Sequence, residues 1–242
     1  MSVFVAESIG TFLLILLGNG VVANVVLKGT KFGGNDAWIV ITTAWAFAVY
    51  VGVVVAGSSS GAHLNPAVTI SFAILEKISW AVVPTYIGAQ LLGAFLGALT
   101  VYLFYIQHYR ITESHDDKLV TFSTIPAIRH NLHNFISECI GTFVLIFVIL
   151  YITGASFEFN NTEIPIGLGS IGALPVAILV WGIGLSLGGT TGYAINPARD
   201  LGPRLAHTII YKGKSNWNYA WIPVLGPITG SVLAAFLYLL IF

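Results

Sequence analysis

Residues Gly192–Arg204 read GYAINPARDLGPR, and the triplet Asn196-Pro197-Ala198 inside them decides how the chain has to fold. An Asn followed by Pro suits the start of a helix. The amide oxygen caps free N–H groups of the first turn, and proline fits the first helical position. The apolar run that begins at Pro197 extends only to His207, eleven residues. As a helix it spans roughly 16 Å at 1.5 Å per residue, half of a ~30 Å hydrocarbon core. A second triplet, Asn65-Pro66-Ala67 within SGAHLNPAVT, opens a run of the same length, Pro66–Glu76. Both runs read as half-helices entered from the membrane interior. The stretches before them, Gly57–Leu64 and Gly188–Ile195, are then irregular backbone at membrane depth, which is tolerated only where it is buried in protein or lines a wet cavity.

The rest of the chain supplies the membrane. Of 242 residues, 56% are hydrophobic and 8% charged, against about 25% charged in soluble domains. Six stretches are long and apolar enough to span: Val3–Leu27, Ala37–Ala56, Trp80–Ile106, Phe135–Ala155, Ala173–Gly189 and Tyr219–Phe242. The first begins beside Met1, carries Glu7 and lacks a cleavage site, so it reads as a retained transmembrane helix. The main polar connection, 107–134, reads as a solvated loop whose TFSTIP run (Thr121–Pro126) folds over a pore mouth. The formal net charge is zero and there is no basic tract, so nothing points to nucleic acid. Cys139 is the single cysteine, which excludes an internal disulfide and a Cys-rich metal site. It reads as a small packed hydrophobe. No nucleotide motif or metal-ligand cluster is visible, so no cofactor is expected and an enzyme reading has nothing to carry it.

The chain also repeats itself. Glu7-Ser8-Ile9-Gly10-Thr11-Phe12 recurs as Glu138-Cys139-Ile140-Gly141-Thr142-Phe143, and the interval from Glu7 to Glu138 equals the interval from Asn65 to Asn196. Two features at one offset indicate a duplicated unit, with copies at approximately 1–106 and 135–242 joined by the loop 107–134. Each unit crosses the membrane three times, so the copies have opposite orientation and their half-helices enter from opposite faces. The expected architecture is therefore an all-α membrane protein, one channel domain over 1–242, with six transmembrane helices, two half-helices and an inverted repeat. The two Asn-Pro starts meet near the midplane. There, helix N-termini and the Asn65 and Asn196 amides offer N–H groups that donate to the oxygens of neutral molecules, and the positive potential repels cations. Water held by both donors cannot form a proton-conducting chain.

This pattern resembles the aquaporin superfamily over essentially the whole chain. The resemblance implies a homotetramer with a pore in each protomer, seated in the cell membrane with both termini cytoplasmic. The second triplet is similar to the glycerol-facilitator branch: Asp200 follows Arg199, Arg204 stands four residues on, Pro223-Val224 replaces the aromatics of water channels, and TFSTIP matches a facilitator loop. The resemblance also implies a selectivity constriction of Trp45, Gly184, Tyr193 and Arg199, beside the midplane barrier of Asn65, Pro66, Ala67, Asn196, Pro197 and Ala198. The implied function is passive passage of glycerol and related small uncharged solutes with some water. A strictly water-selective channel, a channel for dihydroxyacetone or undissociated lactic acid, and a secondary transporter are the alternatives.

Residue chemistry agrees with that assignment. Arg199 is a fixed cation with five donors, Trp45 and Tyr193 form an apolar corner for the C–H face of a polyol, and Gly184 leaves room. Facilitators often carry Phe at the position of Tyr193, so its hydroxyl is expected to narrow or polarise the constriction. Glu7 and Glu138, costly at membrane depth by ~2.5–3.5 kcal/mol each, read as acceptors for backbone N–H groups of the half-helix loops. His63 reads as a tie within its loop, His207 as a helix-end residue, and Asp200 as a brace for the second half-helix. Asn160-Asn161-Thr162 matches a glycosylation sequon by pattern alone, in a loop that the family topology makes cytoplasmic. Basic residues are concentrated in the connections that this topology puts outside, against the positive-inside rule; the more specific fold resemblance decides the orientation.

Overall fold

The structure, a computed structural model, describes residues 1–32, 37–159, 162–212 and 214–242. The sequon's two asparagines therefore lie outside the described residues. The elements run α1 (Val3–Val26), α2 (Ala37–Ser60), α3 (Pro66–Ile74), α4 (Val83–Phe104), α5 (Ile106–Ile111), α6 (His115–Val120), α7 (Asn131–Tyr151), β1 (Ala155–Phe159), β2 (Thr162–Ile166), α8 (Leu174–Leu187), α9 (Pro197–Tyr211) and α10 (Ile222–Ile241). Single 3-10 turns, Trp80–Val82 and Gly169–Ala173, lead into α4 and α8. Among the described residues six helices, four of them as they stand and two with these turns, are long and apolar enough to cross a membrane. The half-helices α3 and α9 begin at Pro66 and Pro197, as expected.

Small residues set the packing of the long helices. A Cβ on Gly93 of α4 would collide with the Ser8 carbonyl of α1, and one on Gly230 of α10 with the Cys139 carbonyl of α7. Ser8 and Cys139 occupy equivalent places in the two copies of the repeat, so the same backbone-to-backbone approach is built once in each half. This is close helix packing of the kind that lipid favours. The half-helices then cross over. α3 packs mainly against α10, and α9 mainly against α4, with Gly202 of α9 directly against Ala94 and the Phe95 backbone. Each half of the chain thereby closes around the short helix of the other.

The connection 107–134 departs from its expectation. It is not a solvated loop throughout, since it forms α5 and α6 and buries Tyr109, Leu119 and Thr121–Thr124. The physical reason lies on α9. Asp200, Arg204 and His207 recur at helical spacing on one face and are fully buried, so they need polar partners. Backbone and hydroxyl groups of 121–124 and of Ser215 and Asn216 provide them. His207 is accordingly not a helix-end group. It precedes the end of α9 by a full turn, bonds the Ser215 hydroxyl through Nδ1 at 2.8 Å and meets the Phe122 ring edge-on.

Candidate functional site

Two loops with the same irregular backbone meet at the centre. Gly61, Ala62 and Leu64 have φ of +79°, +50° and +52°, and Gly192, Tyr193 and Ile195 have +81°, +37° and +42°. These are left-handed conformations at equivalent positions of the two repeats. Outside glycine such conformations cost about 1–3 kcal/mol each and persist only where the surroundings enforce them. The enforcing groups are Glu7 and Glu138. Glu7 accepts the His63 N–H at 2.9 Å and the Leu64 N–H at 2.7 Å, together with the Ser60 hydroxyl and the Gln90 amide at 2.6 and 2.8 Å. Glu138 accepts the Ala194 and Ile195 N–H groups at 2.9 and 2.8 Å. Both carboxylates are buried within the bundle, and both are satisfied, as the sequence reading requires of them. Their geometry is that of a brace, each carboxylate gathering the backbone N–H groups of one loop.

Each asparagine of the two triplets works twice. Asn65 Oδ1 accepts the Ala67 N–H at 2.9 Å, and Asn196 Oδ1 accepts those of Ala198 and Arg199 at 3.0 and 3.3 Å. These are the expected helix caps. The amide nitrogens cross to the opposite loop: Asn65 Nδ2 donates to the Ile195 carbonyl and Asn196 Nδ2 to the Leu64 carbonyl, both at 2.8 Å. A primary amide has two N–H donors. One of each is thus committed to joining the halves, and the other is available to the lumen. Pro66, Ala67, Pro197 and Ala198 are buried beneath these caps as the first residues of α3 and α9.

The lumen is a cavity of about 150 Å³ lined by Asn65, Asn196, Trp45, Tyr193 and Arg199, with Val49, Val180 and other aliphatic side chains completing an apolar wall. Arg199 places its guanidinium 4.4 Å from the Trp45 ring centroid and donates to the Phe122 carbonyl at 3.3 Å. The same carbonyl accepts the Asn19 amide at 3.0 Å. Gly184 does not face the cavity directly. A Cβ there would lie 2.9 Å from Tyr193 Cζ and 3.0 Å from its hydroxyl, so the room it leaves is filled by the tyrosine ring. The Tyr193 hydroxyl is buried there without a hydrogen-bond partner among the described residues. Sequence reasoning expected that hydroxyl to narrow or polarise the passage; in the structure it is buried beside the position of Gly184, with Thr42 also against that glycine. His63 lines the cavity as well, bonded to the Thr69 hydroxyl at 3.1 Å and stacked on Tyr86.

Three contributors escaped the sequence reading. Trp38 donates its indole N–H to the Gly184 carbonyl at 3.2 Å and meets Tyr193 edge-on. As one aromatic among many at a helix end, it carries no signal. Phe122 acts through its carbonyl, which every residue type possesses. Gln90, which bonds Glu7, was detectable as a lone amide inside an apolar span.

Comparison with known proteins places this geometry. Residues 1–238 match the family model described as Major intrinsic protein. The chain is 53% identical over 241 residues to the "Probable glycerol uptake facilitator protein" of Thermotoga maritima, covering 98% of each sequence. It is 49% identical over 241 residues to the "Glycerol uptake facilitator protein" of Streptococcus pneumoniae, again covering 98% of each. Among solved structures, the aquaglyceroporin of Plasmodium falciparum superimposes with a TM-score of 0.83 at 33% identity, over 98% of this chain and 94% of that one.

Proposed function

Because this chain belongs to the major intrinsic protein family, we propose that it is a passive, bidirectional channel for glycerol and similar small uncharged solutes, with some permeability to water. It is a multi-pass membrane protein and performs no covalent chemistry. The observation that carries the solute class is the two-sided wall of the lumen. Arg199 lies over Trp45, with Tyr193 and aliphatic side chains around the same cavity. A polyol presents hydroxyls on one edge and C–H groups on the other. Its hydroxyls meet the Arg199 donors and the free N–H of Asn65 and Asn196, while its carbon edge meets Trp45 and Tyr193. In this reading Trp45, Gly184, Tyr193 and Arg199 form the selectivity constriction, and the two Asn-Pro-Ala triplets form the midplane barrier. Glu7, Glu138, His63 and Asp200 hold both in shape. The whole of 1–242 serves as one channel domain. By the family pattern the protein is a homotetramer in the cell membrane with cytoplasmic termini.

Stopped-flow light scattering on proteoliposomes tests the reading. Glycerol is expected to re-swell vesicles quickly, without saturation and equally in both directions. Fast water flux with glycerol excluded overturns the solute assignment, and saturable or gradient-coupled uptake overturns the channel. The buried hydroxyl adds a second expectation. Tyr193→Phe keeps the ratio of glycerol to water permeability and raises thermal stability, because an unsatisfied buried hydroxyl costs about 1–3 kcal/mol. A changed solute ranking in that variant would place the hydroxyl in the permeation path.

A further inference from the structure

Asn19 of α1 reaches the constriction through a single acceptor. Its Nδ2 donates to the Phe122 carbonyl at 3.0 Å, and the same carbonyl accepts Arg199 Nη1 at 3.3 Å. A carbonyl oxygen has two lone pairs, and here an amide and a guanidinium share them. Asn19 and Phe122 are each 1% exposed within a single protomer, so the arrangement does not depend on what surrounds the chain. The acceptor sets the orientation of the amide. Its nitrogen faces the carbonyl, and Oδ1 is left buried without a partner among the described residues. A side chain held this way adds little to stability, because the bond it makes is offset by the oxygen it strands. Its effect is directional: it holds the plane of the one peptide whose oxygen anchors the Arg199 guanidinium.

Three further observations tie Asn19 to the constriction rather than to the general frame. First, the residue before it, Gly18, seats Trp45: a Cβ there would overlap the six-membered ring of the indole. Two adjacent residues of α1 thus support both partners of the contact between Arg199 and Trp45. Second, the internal repeat stops short of this trio. At the interval that relates Glu7 to Glu138, Gly10 and Thr11 recur as Gly141 and Thr142, but Gly18, Asn19 and Trp45 correspond to Ile149, Leu150 and Val176. The shared frame is kept in both copies, and the departure falls where the constriction is built. Third, the segment that carries Phe122 is pinned from the other half as well, since Asp200 of α9 accepts the Thr124 N–H at 2.8 Å. Asn19 supplies the matching point from α1, so 122–124 is held between the two halves.

We propose that Asn19 is a positioning residue for solute selection. By holding the Phe122 carbonyl it fixes the tilt of the Arg199 guanidinium on the Trp45 ring, and through that tilt the discrimination among polyols. Asn19 itself touches no solute. The effect on solutes rests on the channel function proposed above, whereas the effect on Arg199 does not.

Asn19→Leu removes the bond together with the stranded oxygen, so thermal unfolding in detergent is expected to match the parent. In proteoliposomes the variant is expected to conduct glycerol, while the ratio of glycerol to erythritol permeability falls by about fivefold, the scale of one lost hydrogen bond. In an Arg199→Lys background the same substitution should leave that ratio unchanged, because the planar fork it positions is gone. Asn19→Ala carries the same expectations with a smaller side chain, so poor folding of the leucine variant does not decide the question. Lowered thermal stability with the parent's ratio makes Asn19 a packing residue and overturns the proposal, as does a fall of equal size in the Arg199→Lys background. A crystal structure of Asn19→Leu reads the geometry apart from any solute. Arg199 Nη1 is expected to leave the Phe122 carbonyl, and an unmoved guanidinium overturns the proposal whatever the pore conducts. Exclusion of glycerol by the parent overturns the channel's solute assignment instead, and the crystal structure then decides the role of Asn19.

Discussion

Asp200→Ala is expected to destabilise the protein by about 3–5 kcal/mol, the cost of leaving one member of a buried ion pair alone. Asp200 and Arg204 are both fully buried and four residues apart on α9. The carboxylate accepts Arg204 Nε at 2.7 Å and Nη2 at 3.0 Å, and it also accepts the N–H and the hydroxyl of Thr124 at 2.8 and 2.7 Å. Alanine leaves the guanidinium with the carbonyls of Ser215 and Asn216 on Nη1 and of Thr124 on Nη2, and takes the acceptor from Nε–H and from the second Nη2–H as well as the countercharge. It also frees the segment that carries Phe122, whose carbonyl holds Arg199. Loss of stability is therefore expected together with altered solute selectivity. Thermal unfolding in detergent, followed by solute ranking in vesicles, measures both. The double variant Asp200→Ala/Arg204→Met separates charge from packing: with no lone charge left, it should regain much of the stability. A single variant as stable as the parent would show that the pair does not brace α9.

Much of this architecture is legible in the sequence because lipid makes its signals coarse. A span has to be long and apolar, and a polar group within it needs a partner. Glu7, Glu138 and the two Asn-Pro pairs could therefore be read from isolated positions and one common offset. What escaped depends on partners that a linear pattern does not specify. The ends of α2 and α7 shifted because polar residues continue the helices: Ser60 stays helical and bonds Glu7, and α7 begins at Asn131, with His130 as its cap. The burial of 121–124 follows from α9, which is remote along the chain, and is mediated largely by backbone atoms. The exchange of half-helices between the two halves is a matter of three-dimensional closure. The β1–β2 hairpin did carry a local signal, alternation in ASFEF and TEIPI, but between two strong spans it read as a connection. At Tyr193 residue type suggested a polar lumen, whereas the glycine opposite it takes in the ring and hides the hydroxyl.

Arg199→Ala is expected to keep glycerol flux and to admit cations or protons. Arg199 is held at three points: its backbone N–H is capped by Asn196, its guanidinium Nη1 donates to the Phe122 carbonyl, and the guanidinium face lies on the Trp45 ring. A monovalent cation passing roughly 4 Å from this charge is opposed by about 4 kcal/mol at an effective dielectric of 20, close to a thousandfold in rate. Neutral glycerol does not feel that barrier, and alanine also widens the passage, so glycerol flux should hold or rise while discrimination among polyols falls. The N-termini of α3 and α9 and the two asparagine amides remain as a positive midplane barrier, so the expected leak is smaller than the full thousandfold. Arg199→Lys distinguishes charge from shape. Lysine keeps a positive charge but lacks the planar fork that stacks on Trp45 while reaching Phe122, so it should exclude cations yet lose polyol ranking. Ion flux measured with a pH-sensitive dye and by planar-bilayer conductance reads the first property, and vesicle re-swelling reads the second. If the alanine variant remains as cation-tight as the parent, the midplane alone excludes charge, and Arg199 serves the hydroxyls of the solute rather than guarding against ions.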